Sequence, residues 1–131
     1  ESSPHVAFRL RRGLNIEAYR SYCMAKPGVT EGLPFGPDTL VFKVMNKMFA
    51  LTDIETFDFI NLKCDPERAS QLRVEYEGIQ PGYHMNKQQW NSVYTRSDVS
   101  DELIWELIDD SYDLIVEGLP KKDQEALKNM T

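Results

Sequence analysis

The stretch Leu40–Glu67, LVFKVMNKMFALTDIETFDFINLKCDPE, decides the fold, because it passes from a two-residue apolar period to a helix start within one short span. Its first half alternates through Leu40, Phe42 and Val44, breaks at Asn46-Lys47 and then resumes. Asparagine tolerates the positive φ that a tight turn needs, so the pattern predicts a β-hairpin about Asn46-Lys47. The next run, Phe57–Cys64, puts Ile60, Leu62 and Cys64 on one face of a strand and Phe59, Asn61 and Lys63 on the other. Asp65 then supplies a capping carboxylate and Pro66 a preset first helical φ, which predicts a helix to about Tyr76.

Working outward, Asn15 caps a helix over NIEAYRSYCMAK, with Ile16, Tyr19 and Cys23 on one face and Pro27-Gly28 as the stop. The connector GVTEGLPFGPD has room for a short strand. Past a turn at Pro81-Gly82, QQWNSVYT reads as a strand with Trp90 and Tyr94 on one face. The clearest helix follows: Ser100 caps it, Val99 and Ile104 form a hydrophobic staple, Ile104, Leu107, Ile108 and Ile115 make the apolar stripe, and Gly118 ends it. A short helix is expected after Pro120. Strands with one apolar face interrupted by helices give an α+β fold, an antiparallel β-sheet with helices packed on one face and the second face free for work.

The chain has 131 residues, 41% of them hydrophobic, which suits one core and one domain. Residues 1–14 read as an N-terminal tail, native or appended, ahead of a single domain at 15–131. There is no apolar run long enough to span a bilayer and no secretory leader pattern, so the expectation is a soluble, cytoplasmic protein without a membrane partner. The two cysteines, Cys23 and Cys64, lack any metal or redox spacing and read as buried free thiols. A net charge of −6 argues against bulk coating of nucleic acid. Ten of the acids lie between Asp98 and Glu125, so the middle of the chain is near neutral and leaves lysines for a local patch.

If helices cover Leu40, Phe42, Ile60 and Leu62, the other face presents Lys43, Phe59, Asn61 and Lys63, with Pro81–Trp90 beside it. Lysines interleaved with aromatics meet phosphates and stack bases, whereas a solvated sheet face carries the same residues for no purpose but solubility. His84 lies outside the tail, so histidine chemistry in the domain body would use it; the plainer reading is a turn anchor. Cys64 sits before a helix start that could lower a thiol pKa, yet its alternation with Ile60 and Leu62 turns it inward. Glu102, Glu106, Asp109, Asp110 and Asp113 form a ridge on the long helix that could collect cations, but no EF-hand or zinc-ligand spacing accompanies it, and a solvated helix face is the simpler reading.

The segments LPFG, VFKV, KMFAL, INLKCDPE, PGYHMNK, WN, LIDDSYDLIV and LPKK, in this order over about Asn15–Lys122, together resemble the MmcQ/YjbR family of small bacterial proteins. The resemblance implies a frataxin-like, YjbR-like two-layer sandwich, and a description as DNA-binding from a double-wing arrangement of strands. Carried over by position, its signature falls on Pro34, Phe35, Gly36, Lys43, Lys47, Asn61, Lys63, Cys64, Pro81, Gly82, Tyr83, His84, Lys87, Trp90 and Asn91. Two departures stand out. Asn46-Lys47 replaces a common Gly-Lys in the hairpin, and Gln89 replaces a common histidine before the tryptophan, which weakens any histidine-based catalysis.

The surface-site candidates are therefore Lys43, Lys47, Asn61, Lys63, Tyr83, His84, Lys87, Trp90 and Asn91. No catalytic residue, metal ligand or cofactor is assigned. The leading expectation is a non-enzymatic module that binds DNA weakly and locally. A protein-interaction module whose acidic helix meets a basic protein partner comes second, and an enzyme or metal binder using His84, Cys64 or the acidic ridge comes third.

Overall fold

The structure is a computed structural model that describes residues 14–130. The expected tail at residues 1–13 lies outside the described residues. Leu14 lies within them, and its N–H donates to Asp101 Oδ2 at 3.1 Å.

Four helices and six strands follow in the order α1 (Ile16–Met24), β1 (Val29–Gly32), β2 (Thr39–Val44), β3 (Lys47–Asp53), β4 (Phe59–Lys63), α2 (Pro66–Glu75), β5 (Ile79–Pro81), β6 (Trp90–Tyr94), α3 (Asp101–Glu117) and α4 (Lys121–Lys128). The strands form one sheet of order β1-β2-β3-β4-β6-β5, antiparallel at every pairing. The helix starts are the ones the side chains specify. Asn15 accepts from the Ala18 N–H at 2.7 Å, Asp65 from Arg68 at 3.2 Å and Ser100 from Leu103 at 3.1 Å, each satisfying an amide the helix itself leaves free. Val99 and Ile104 are both buried, as a staple requires.

Leu40, Phe42, Val44, Ile60, Leu62 and Cys64 face the helices and join Trp105, Ile104 and Ile108 of α3 in one core. Two local departures from simple alternation matter. The hairpin turn is Met45-Asn46, one residue earlier than expected, with φ of 48° and 68° and with Lys47 already paired to Val44. With both central residues left-handed the turn has the type I′ signs of φ, whose twist suits a hairpin, and Met45 accepts a backbone strain of about 1 kcal/mol that glycine would avoid. A bulge between β2 and β3 also lets the neighbours Phe49 and Ala50 both enter the core, where Phe49 packs edge-on to Tyr112 at 5.4 Å.

The bulge leaves two backbone groups without ladder partners. Ser111 of α3 satisfies both: its hydroxyl donates to the Phe49 carbonyl at 2.6 Å and accepts from the Lys63 N–H at 2.9 Å. A helix residue thus completes the sheet, which fixes α3 against β3 and β4.

Candidate functional site

On the face away from the helices, the register lines up Val41, Leu51, Asn61 and Ser92 across four neighbouring strands. Val41 and Leu51 are nonetheless buried, because the segment Leu33–Phe35 and the loop 82–89 lie along this face. Between them runs a groove with a volume of ≈ 500 Å³, lined chiefly by Phe35, Met48, Leu51, Phe59, Tyr83 and Met85, with Thr39, Thr52, Asp53, Asn61 and His84 as its polar members. Phe35 and Tyr83 remain 64% and 57% exposed, so the rim offers large apolar side chains that the protein itself does not cover.

The loop that walls this groove is held by side chains from the sheet. Asn61 Nδ2 donates to the Tyr83 carbonyl at 3.1 Å, the Ser92 hydroxyl donates to Asn61 Oδ1, and the Tyr83 N–H donates back to Ser92 Oγ at 2.9 Å. Asn61 and Ser92 are buried, so the bond between them is shielded from water, while the two bonds to Tyr83 are partly buried. Gly82 sits so near Trp90 that a Cβ there would lie 2.8 Å from Trp90 Cβ. The chain then turns at Tyr83-His84, closed by the Met85 N–H to the Gly82 carbonyl at 3.1 Å, with His84 at φ 60°. The expected turn at Pro81-Gly82 is thus displaced by two residues: Pro81 ends β5, an edge strand that tolerates its missing N–H.

The nine surface candidates separate. Tyr83, His84 and Asn61 line the groove, and Tyr83 packs on Phe59 at 5.9 Å and on the His84 ring at 4.0 Å. Lys43 and Lys63 stand on the same sheet face, Lys43 paired to Met48 and Lys63 to Trp90, and neither side chain has a partner among the described residues. Lys87 is occupied in its own loop, its ammonium donating to the Gly82 carbonyl at 2.9 Å. Trp90 is 8% exposed and packs within the protein, leaving no ring face for a base. Asn91 pairs with Leu62, so it faces the helices, where it accepts from Arg73 Nε at 2.7 Å. Lys47, opposite Val44 at the hairpin end, lies off the groove as well.

Cys64 and His84 are not brought together: Cys64 belongs to the core and His84 to the opposite sheet face. Burial pushes the Cys64 thiol up, against a smaller opposing effect of Arg68. The acidic ridge is largely engaged. Asp109 accepts from the Lys26 ammonium at 2.5 Å and from the Tyr22 hydroxyl at 2.7 Å, while Arg68 of α2 pairs with Glu106 at 2.9 Å and with Asp110. Among the described residues no group of three or more His, Cys, Asp or Glu is arranged to hold a metal ion.

Sequence reasoning missed Asp53, Met48, Met85, Ser92 and Arg73. Ser92 was readable from its alternation with Trp90 and Tyr94. Arg73, which also donates to the carbonyls of Lys87 and Trp90 and so fixes the far end of the loop, carries no local signal beyond its place in the last turn of α2.

Comparison with known proteins gives a consistent result. A family model described as YjbR matches residues 24–114. "Uncharacterized protein YbdF" of Escherichia coli O157:H7 is 41% identical over 113 residues, 86% of this chain and 93% of that protein. "Uncharacterized protein YjbR" of Escherichia coli K12 is 32% identical over 115 residues, 87% of this chain and 98% of that protein. A crystal structure of a Deinococcus radiodurans protein, 40% identical, superposes with a TM-score of 0.80 over 87% of this chain and 88% of its own.

Proposed function

The chain belongs to the YjbR family of small bacterial proteins, and on that premise we propose that it is a non-enzymatic binding module whose ligand seats in the groove on the sheet face away from the helices. The observation that carries this reading is the groove's construction: an apolar cleft of small-molecule size with a few convergent polar groups, walled by a loop that Asn61, Ser92, Lys87 and Arg73 hold in place. A wall fixed in advance spares the ligand the entropy of ordering it. The separation of Cys64 from His84 supports the non-enzymatic part.

Thr39 lines the groove and is half-buried on β2, so Thr39→Trp should fill the cleft without touching the core. In a thermal-shift screen of small aromatic and aliphatic compounds, those that stabilise the wild type should fail with this variant. Equal stabilisation of both proteins would place their site elsewhere.

Local contact with nucleic acid is the second reading, and Lys43 and Lys63 favour it: their ammonium groups, without a partner among the described residues, stand on the same sheet face that exposes Tyr83. It keeps Tyr83 of the aromatic candidates expected from the sequence and loses Trp90, which is buried, and Lys87, which is engaged in its own loop. The basic-protein-partner reading draws less support, because Lys26 and Arg68 already meet Asp109, Glu106 and Asp110.

A further inference from the structure

We propose that the occupant of the groove is a small organic ammonium ion, an amine carried on an apolar or aromatic body, held between the carboxylate of Asp53 and the rings of Phe35, Phe59 and Tyr83. This rests on the reading of the groove as the ligand site and adds the chemistry of the ligand.

Charge decides the class. Among the described residues lining the groove, Asp53 is the one carboxylate, there is neither lysine nor arginine, and the one histidine, His84, packs its ring on Tyr83. A bound anion would face Asp53 with no lysine or arginine in the lining to offset it, at the cost that a poorly paired charge in an apolar cleft carries. A cation meets the opposite situation. Asp53 Oδ1 is spent on the turn that follows β3, accepting from the N–H groups of Glu55 at 2.9 Å and Thr56 at 3.1 Å. Its second oxygen has no partner among the described residues, which leaves it free to accept a charge-assisted bond.

The remaining lining suits the rest of such a molecule. Aromatic ring faces attract ammonium groups through their quadrupole, and three aromatic side chains converge here, Phe59 edge-to-face with Tyr83 and Phe35 largely exposed across the cleft. Met48, Met85 and Leu51 offer adaptable apolar surface to the body that carries the amine. The volume of ≈ 500 Å³ falls in the range of single small-molecule sites, which suits a free amine.

The test titrates the full chain, by amide chemical-shift mapping at fixed moderate salt, with three probes of one shape: 2-phenylethylammonium, 2-phenylethanol and 3-phenylpropionate. The ammonium should bind at the groove about tenfold more tightly than the alcohol, and the carboxylate most weakly. Asp53→Asn keeps an oxygen for the turn amides, so it should abolish the advantage of the ammonium while leaving the alcohol's affinity unchanged, which also reports that the site is intact. Tyr83→Ala should weaken all three. Equal or tighter binding of the alcohol or the carboxylate at the groove would overturn the cation assignment and leave the groove reading standing. Absence of groove shifts with every probe at millimolar concentration would overturn both. A lysine-bearing hexapeptide that outcompetes the free amine would overturn the small-molecule assignment.

Discussion

At the scale of single residues, polar satisfaction separates the two faces of the sheet. Asn61 and Ser92 are buried on the groove side and complete each other's hydrogen bonds, which makes them a fixed support for Tyr83. On the helix side, Tyr19 is fully buried between Phe42 and Phe57, and its hydroxyl has no partner among the described residues. Burial, then the nearby Cys23, pushes that hydroxyl well above the ordinary tyrosine range. An unmade bond on a buried hydroxyl costs stability, so Tyr19→Phe should leave the protein as stable as the wild type or more stable, by up to about 2 kcal/mol. Denaturant unfolding that instead shows a loss of more than about 1 kcal/mol, the worth of one hydrogen bond, would mean the hydroxyl has a partner.

At the scale of elements, α3 organises the molecule through two unlike kinds of contact. Ser111 completes the sheet from within the core, and Arg68 ties α2 to Glu106 and Asp110 at a half-exposed surface. Ser111→Ala strands a buried carbonyl and a partly buried N–H, and should cost about 2 to 3 kcal/mol. Arg68→Ala removes pairs that water already screens and should cost less than about 1 kcal/mol. Urea unfolding of the two variants checks the order, and a larger loss for Arg68→Ala would contradict it. The helices were legible in the sequence because Asn15, Asp65 and Ser100 announce their starts through local chemistry. The hairpin was legible to within one residue: Asn46 marked it, but nothing in methionine announces a left-handed φ at Met45. The bulge at Phe49 and the three-residue strand ending in Pro81 left no mark, since both are defined by the register against a partner strand and not by the local apolar pattern. The candidate site was half legible for the same reason. Alternation placed Asn61, Lys43 and Lys63 on the open face, whereas Arg73 and Ser92 acquire their roles only when the loop 82–89 is pinned between α2 and β6, and Asp53 acquires its own only when the groove forms around it.

At the scale of the whole molecule, a net charge of −6 and two free lysines on the open face limit what nucleic acid can gain. If a single-stranded oligonucleotide binds at low salt, log affinity against log salt should have a slope of roughly −1.4, about −0.7 for each of Lys43 and Lys63, and the double change to glutamate should remove it. A steeper slope, or binding that survives the double change, would show that phosphates are held elsewhere. The larger claim is that the sheet face away from the helices, and not the acidic face of α3, is where this protein meets its ligand. Its most direct measurement uses the methionines as reporters: Met48 and Met85 line the groove, Met24 and Met130 are exposed away from it. With methyl-labelled methionine and a mixture of small amines and aromatic fragments, the resonances of Met48 and Met85 should move saturably while those of Met24 and Met130 stay fixed. Saturable shifts at Met24 or Met130 with Met48 and Met85 unmoved would contradict the account.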